Sequence, residues 1–225
     1  MTMFVVTSCG TSIGKTFITC ALIEALRARG KSVAAQKPVI SGMRDVALGD
    51  TDSGRLLAAL GRPVNASAIS KISPWQFDAP LTPSMAARLE NTVLDMREIV
   101  SWCRAQNAPD RITLVEGAGG VMAPLTDTHT MRDFFHELDV PLILVVGCYL
   151  GSISHTLTAL EALKNQRVLA VVVTDQHHDQ GVGLQATCQE LRRFIAADIP
   201  VLPVAYAPEK PHITALVNVV EDACS

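Results

Sequence analysis

The chain has 225 residues, of which 48% are apolar but only 4% aromatic, and its formal net charge is −3. That length allows one domain with a substantial core, and a core of aliphatic residues suits a parallel sheet covered by helices on both faces. The weak negative charge without a basic cluster argues against a nucleic-acid partner, and six scattered cysteines without a Cys-x-x-Cys pair argue against zinc or a disulfide framework.

The first predicted strand, residues 3–7, leads into a loop and helix typical of phosphate binding. The loop reads Gly10-Thr11-Ser12-Ile13-Gly14-Lys15-Thr16, and apolar residues recur at helical spacing over 15–29. Free N–H groups and the helix dipole attract phosphate at such a helix start. Lys15 is predicted to reach the β- and γ-phosphates, and the Thr16 hydroxyl to bind Mg²⁺. The strict motif has glycine where this chain has Cys9, so an ordinary strand-to-helix turn is the alternative.

The second predicted strand, residues 33–38, ends near Lys37, which precedes Pro38-Val39-Ile40-Ser41-Gly42. A lysine at a strand end is poorly buried without a partner, so we expect Lys37 to face an anion; extension to solvent is the alternative.

Acidic residues come next, in Gly49-Asp50-Thr51-Asp52-Ser53, before a predicted helix over 52–60. One of these carboxylates could complete a magnesium site, while the other, or Thr51, caps the helix; simple capping is the alternative for either carboxylate. Residues 61–83 contain four prolines and are expected to be irregular, either as a loop over the site or as a plain surface connection.

A helix is predicted over 95–106, followed by a strand over 112–116. The strand ends in Glu116, and Gly117-Ala118-Gly119-Gly120 comes directly after it. A carboxylate in this position is typical of the acid that holds Mg²⁺ beside a phosphate loop. The glycines allow a ligand to approach the backbone closely and offer N–H donors to an anion; a flexible turn is the alternative.

The rest of the chain continues the alternation of strands and helices. Strands are predicted at 142–147, 168–174 and 199–203, and helices at 130–138, 153–165, 183–197 and 211–221. This alternation predicts βαβ units, and hence a single α/β domain over residues 1–225 with a mostly parallel sheet of about seven strands. His177-His178 lies among polar residues and is interpreted as a solvated loop rather than a metal pair.

These motifs together resemble, in order and over nearly the whole chain, those of the dethiobiotin synthetase family within the P-loop NTPases. The residues that carry the resemblance are Thr11 with Gly14-Lys15-Thr16, Lys37-Pro38-Val39 with Ser41-Gly42, Asp52, Pro74-Trp75-Gln76-Phe77 with Pro80 and Pro83, Val115-Glu116-Gly117-Ala118-Gly119-Gly120, and Leu150-Gly151-Ser152-Ile153-Ser154-His155. The family usually begins its loop with Gly-Thr where this chain has Ser8-Cys9, so we expect a side chain at Ser8 to strain the loop.

The resemblance implies an ATP-dependent ligase of biotin biosynthesis. Such an enzyme closes a ureido ring on 7,8-diaminopelargonic acid with CO₂ or bicarbonate as carbon source, through a carbamate and a carbamic–phosphoric mixed anhydride, and releases ADP and phosphate. The family is a homodimer whose diamine site uses the partner subunit, and it requires Mg²⁺.

The resemblance also implies roles for individual residues. The implied catalytic residues are Thr11, Lys15 and Lys37, and the implied Mg²⁺ ligands are Thr16, Asp52 and Glu116. The implied substrate-binding residues are Thr11, Lys37, Ser41, Glu116, Gly117, Ala118 and Gly119, with Leu150, Gly151 and Ser152 at the subunit interface. The implied nucleotide-binding residues are Ser12, Ile13, Gly14, Lys15, Thr16, Phe17, Asp52, Glu116, Gly119, Thr174, Asp175 and Pro203.

Two other functions are compatible with this fold. A switch ATPase of the partition or septum-site type carries a second lysine early in its loop, where this chain has Gly10. A regulatory module would bind nucleotide without synthesis. Met1-Thr2-Met3 leads directly into the first apolar run, and no apolar stretch reaches the ~18–20 residues of a membrane span, so we expect a cytoplasmic protein without a membrane partner.

Overall fold

Strands and helices alternate along the chain in the computed structural model, which describes residues 2–175, 182–206 and 211–224. The strands are β1 (Met3–Ser8), β2 (Val33–Gln36), β3 (Val39–Ile40), β4 (Trp75–Gln76), β5 (Ile112–Glu116), β6 (Leu142–Gly147), β7 (Val168–Thr174) and β8 (Val201–Val204). The α-helices are α1 (Lys15–Ala28), α2 (Asp52–Ala59), α3 (Ala66–Ile72), α4 (Pro83–Leu89), α5 (Met96–Ala105), α6 (Met131–Leu138), α7 (Ser152–Ala162), α8 (Leu184–Leu191) and α9 (Thr214–Cys224). The pair His177-His178 lies outside the described residues.

The main sheet is parallel throughout and has the strand order β2-β5-β1-β6-β7-β8. The predicted α/β fold is confirmed, although in the described ranges this sheet has six strands rather than about seven. The short strands β3 and β4 pair with each other in a separate parallel sheet.

Helices cover both faces of the main sheet, as its continuous apolar strands require. Alternate residues of β1 show this directly: Met3 and Val5 belong to one buried cluster, and Phe4 and Val6 to the other. The first cluster includes residues of α5, α6, α7 and α8, and the second includes residues of α1, α2, α3 and α9. None of the helices in the described ranges is long and apolar enough to cross a bilayer.

The region 61–83 is more regular than its prolines suggest, and the prediction of an irregular stretch is wrong at Ala66–Ile72 and Trp75–Gln76. Helix α3 begins after Asn65, whose Oδ1 accepts a hydrogen bond from the Ala68 N–H at 2.9 Å. Helix α4 begins at Pro83, where the missing N–H of proline costs nothing because the first helical N–H groups have no intrahelical acceptor.

Element ends also differ from the prediction. The strand predicted over 33–38 leaves the main sheet after Gln36, since the Lys37 N–H donates to Ile72 O instead and Pro38 has no N–H. The helix predicted over 183–197 ends at Leu191.

The strand order places three polar strand ends at one edge of the sheet. Strands β2, β5 and β1 are neighbours, with Val6 opposite Glu116 and Gln36 opposite Val115. Because parallel strands end at the same edge, Ser8, Lys37 and Glu116 come together there.

Candidate functional site

The loop between β1 and α1 has the backbone shape that presents N–H groups to an anion. Gly14 precedes α1 with φ of 104°, and Ser12 has φ of 56°. Ser8 remains in the extended strand, so the expected strain at Ser8 is wrong: the left-handed conformation occurs at Ser12 and Gly14 instead. The N–H groups at the start of α1 therefore face the edge where the strands end.

A buried ion-pair network lies beside this loop. The Lys37 ammonium is 2.7 Å from Glu116 Oε1 and 2.9 Å from Asp52 Oδ2, and it donates to Gly117 O at 3.0 Å. The Lys37 side chain is 3% exposed and that of Glu116 is fully buried. Lys37 thus faces carboxylates, and removing Lys37 would leave the buried carboxylate of Glu116 uncompensated in the protein interior.

The network shifts the pKa of its members. The Lys37 ammonium is the main cause that lowers the pKa of Asp52 to about 2. Burial alone would lower the pKa of Lys37, but Glu116 and Asp52 outweigh it and the net shift is upward. Lys15 behaves differently: burial first, and then the charge of Lys37, lower its pKa to about 8. Lys37 therefore stays protonated at neutral pH, whereas Lys15 begins to lose its proton just above neutral pH.

Thr16 lies between the two carboxylates. Its Oγ1 is 2.7 Å from Asp52 Oδ1 and 2.9 Å from Glu116 Oε1, yet one hydroxyl proton can satisfy only one of these acceptors. Oε2 of Glu116 is buried and has no hydrogen-bond partner among the residues that the structure describes. A hydroxyl, two carboxylates and one unsatisfied carboxylate oxygen fit the oxygen ligands that Mg²⁺ prefers. No group of three His, Cys, Asp or Glu side chains within metal-binding reach occurs in the described ranges.

A cavity of about 960 Å³ opens above the loop and the charged network. The predicted residues that line it are Thr11, Ser12, Ile13, Gly14, Lys15, Thr16, Phe17, Lys37, Ser41, Asp52, Ala118 and Gly119. Its volume lies at the upper end of the range for small-ligand sites. Residues from loops that are far apart in the sequence thus share one space large enough for a nucleotide.

Other predicted residues lie behind or away from the cavity wall. Glu116 contacts Lys37 and Thr16 from below, and Gly117 offers its carbonyl to Lys37. Leu150 is 87% exposed at the turn before α7, and the adjoining Gly151 and Ser152 do not border the cavity either.

Thr174, Asp175 and Pro203 also lie outside the cavity wall. The Thr174 hydroxyl donates to Ile13 O at 2.9 Å, and Asp175 Oδ1 accepts from the Tyr206 N–H at 2.5 Å. Thr174 therefore supports the phosphate loop from behind, and Asp175 holds the segment that carries Tyr206.

The structure adds cavity residues that sequence reasoning missed. The ring of Tyr206 lies 4.9 Å from that of Phe17 between centroids, and both residues line the cavity. Tyr206 follows the carboxyl end of β8, so the rule that ligands bind beyond strand ends could have identified it. Thr82, Glu24 and Arg55 also line the cavity, but no motif marks them.

Comparisons with known proteins agree with this arrangement. A family model described as an AAA domain matches residues 2–215. The chain is 42% identical over 217 residues to the ATP-dependent dethiobiotin synthetase BioD of Phenylobacterium zucineum (strain HLK1), which covers 94% of this chain and 91% of that protein. It is 46% identical over 192 residues to the protein of the same name from Caulobacter sp. (strain K31), with 84% and 82% covered.

Among solved structures, the cell division ATPase MinD of Pyrococcus furiosus superposes with a TM-score of 0.52 at 15% identity, over 99% of this chain and 98% of that one. That likeness concerns the fold alone.

Proposed function

We propose that this chain, which belongs to the family of ATP-dependent dethiobiotin synthetases, closes a ureido ring on 7,8-diaminopelargonic acid with CO₂ and ATP. The observation that carries the proposal is the network of Lys37, Asp52, Glu116 and Thr16 beside Lys15, at the floor of a nucleotide-sized cavity. Cations next to a carboxylate-rich metal site suit phosphoryl transfer to a substrate carboxylate.

The reaction that we propose has three steps. One amine of the diamine adds to CO₂ and loses a proton, which gives a carbamate. A carbamate oxygen then attacks the γ-phosphorus of ATP, so that ADP leaves and a carbamic–phosphoric anhydride forms. The second amine attacks the anhydride carbonyl and loses a proton, phosphate leaves, and the ring closes. No step requires a nucleophilic side chain, so catalysis depends on positioning and charge stabilisation.

The role that we propose for each residue follows from its position in the site. Lys15, at the start of α1, would contact the phosphates, and Lys37, between the phosphate loop and the glycine loop 117–120, would face the carbamate and the transferred phosphoryl group. Thr11 and Ser41 line the cavity beyond these lysines and would orient the diamine, together with the backbone of Gly117, Ala118 and Gly119.

Thr16, Asp52 and Glu116 would hold Mg²⁺ through their side-chain oxygens. The bound ion would neutralise charge on the β- and γ-phosphates. The Lys37 ammonium bonds to both carboxylates, and these bonds keep the acidic oxygens together.

The nucleotide would extend from Lys15 and Thr16 along Ser12, Ile13 and Gly14 towards Phe17. Asp175 and Pro203 would contribute at the base end, where Asp175 is joined to the Tyr206 segment, and Thr174 would contribute from behind the loop through its bond to Ile13 O. Glu116 and Gly119 would complete the phosphate end, across from the loop.

We further infer that the whole chain, residues 1–225, forms one catalytic domain that works as a cytoplasmic homodimer. The exposed side chain of Leu150, followed by Gly151 and Ser152 at the start of α7, supports an interface there. In that arrangement these three residues would complete the diamine site of the partner subunit.

The decisive experiment measures phosphate release from MgATP and bicarbonate with and without 7,8-diaminopelargonic acid, and identifies dethiobiotin by mass spectrometry. We expect release that depends on the diamine, with formation of the ureido product. Repeating the assay with CTP and GTP measures base selectivity, and titrating Mg²⁺ in the presence of EDTA tests the metal site.

Two outcomes would contradict the proposal. Hydrolysis that is independent of the diamine would indicate a switch ATPase of the partition or septum-site type. Tight nucleotide binding without turnover under any of these conditions would indicate a regulatory module.

A further inference from the structure

The hydroxyl of Ser8 joins the Lys15 ammonium to the phosphate loop. Lys15 Nζ donates to Ser8 Oγ at 3.1 Å and to Gly10 O at 3.2 Å. Ser8 Oγ in turn donates its own proton to Gly10 O at 2.5 Å. The Lys15 ammonium, the Ser8 hydroxyl and the Gly10 carbonyl are therefore joined by three hydrogen bonds, which form a closed ring at the base of the loop.

The surroundings of this ring are rigid. Ser8 is fully buried, and its carbonyl accepts from the Val121 N–H at 2.9 Å, which ties it to the loop that follows Glu116. A Cβ on Gly120 would lie 3.0 Å from Cys9 O, so the two loops are in backbone contact. The position of the Ser8 hydroxyl is thus set by the strand, the phosphate loop and the glycine loop together.

The ring uses two of the three donors of Lys15. An ammonium has three N–H groups and no acceptor, so one donor remains for a phosphate oxygen. Because the other two bonds end on atoms that hardly move, they fix the direction of the third. The lysine side chain is flexible, and without these two bonds it would lose considerable rotamer entropy when its ammonium binds a phosphate.

We propose that Ser8 is a positioning residue for nucleotide binding: its hydroxyl holds the Lys15 ammonium in the direction that meets the phosphates. This inference rests on the proposed nucleotide binding of the same site. Ser8 lies outside the cavity wall, and in this role it acts on the nucleotide only through Lys15.

The test is a double-mutant cycle on nucleotide affinity. The dissociation constant of the non-hydrolysable β,γ-imido analogue of ATP with Mg²⁺ is measured by calorimetry for the wild-type chain, Ser8→Ala, Lys15→Met and the double variant. We expect Ser8→Ala to weaken binding about tenfold when Lys15 is present and less than about twofold in the Lys15→Met background. A merely structural role of Ser8 would weaken binding equally in both backgrounds.

Thr7 provides a matched control. It precedes Ser8 in β1 and is also buried, but its hydroxyl has no hydrogen-bond partner in the described part of the chain, so Thr7→Val removes a neighbouring hydroxyl that is outside the ring. We expect Thr7→Val to leave the affinity unchanged. Thermal unfolding of each variant checks the fold, and Ser8→Gly, which removes Cβ together with the hydroxyl, repeats the deletion if Ser8→Ala unfolds.

The outcomes separate this inference from the proposed function. Equal weakening in both backgrounds, unchanged affinity of Ser8→Ala, or tighter binding by Ser8→Ala would each overturn the positioning role while nucleotide binding stands. No binding by the wild-type chain would overturn the proposed function, and the role of Ser8 with it.

Discussion

The phosphate end of the site and the Leu150 segment are built in opposite ways. Around Lys37, every charged group has a partner from the same chain, and the side chains of Lys37 and Glu116 are almost fully buried. At the turn before α7, Leu150 exposes most of an apolar side chain, and neither it nor Gly151 borders the cavity.

This difference indicates which part of the proposed reaction a single chain can carry out without a partner. Charges buried at fixed distances are organised for phosphoryl transfer before any ligand arrives, since no solvent must be reorganised around them. An exposed leucine followed by a helix start has no comparable partners, and it would contribute to a site only if another surface covered it. Substitutions at the phosphate end should therefore impair chemistry, and those at Leu150 should impair assembly.

The largest effect is expected for Lys37→Met. It removes the cation that we propose to face the transferred group and leaves Glu116 and Asp52 without their ion-pair partner. We expect diamine-dependent phosphate release to fall about 10²–10³-fold, since this is the usual effect of losing one charge-stabilising donor. Steady-state kinetics measure this, and Lys71→Met, which removes an exposed lysine of α3, is the control. An unchanged kcat would contradict the proposed role of Lys37.

Thr16→Val comes next. It removes the hydroxyl that lies between the two carboxylates, so we expect about tenfold more Mg²⁺ to be needed for half-maximal activity. A Mg²⁺ titration of phosphate release is the measurement. Thr19→Val, one turn along α1, removes a hydroxyl that bonds back to Lys15 O and should leave the Mg²⁺ requirement as it is. Equal Mg²⁺ requirements of Thr16→Val and the wild type would argue against a metal ligand at Thr16.

Leu150→Asp tests the other region. A charge at this exposed apolar position should disfavour an interface, and we expect light scattering to report a dimer for the wild type and a monomer for the variant. Diamine-dependent turnover should fall about tenfold, while affinity for ADP should change little because the phosphate end is built from one chain. Phe194→Asp, at another exposed apolar position, is the control. A dimeric Leu150→Asp variant with full activity would disprove the interface.

The smallest effect concerns pH. Burial and Lys37 lower the pKa of Lys15 to about 8, so its ammonium is mostly charged at pH 7 and mostly neutral at pH 9. Phosphates prefer the charged form, and affinity for ADP without Mg²⁺ should therefore fall several-fold from pH 7 to pH 9. Calorimetry at several pH values measures this. Lys15→Arg, which keeps its charge, should show a flat profile, and a flat profile of the wild type would contradict the lowered pKa.

Much of the fold follows from short-range patterns in the sequence. Apolar runs such as Leu142–Gly147 predict strands buried on both faces, and their alternation with helical segments predicts a parallel sheet. Helix α3 was missed because the four prolines of residues 61–83 suggested irregular chain, and no helix was predicted over α4, although Asn65 and Pro83 are ordinary helix-start residues. The sequence does not order the strands, because register and neighbours depend on contacts between distant segments.

The candidate site, too, was predicted from the sequence only in part. Local motifs were enough to select Lys15, Thr16, Lys37 and Glu116, since a phosphate loop and polar strand ends can be recognised from adjacent residues. Only the tertiary structure decided that Lys37 bonds to both Asp52 and Glu116, and that Thr174 supports Ile13. The ring of Ser8, Lys15 and Gly10 has the same origin: its distances arise when β1 and α1 pack, and a sequence carries residue types but no distances.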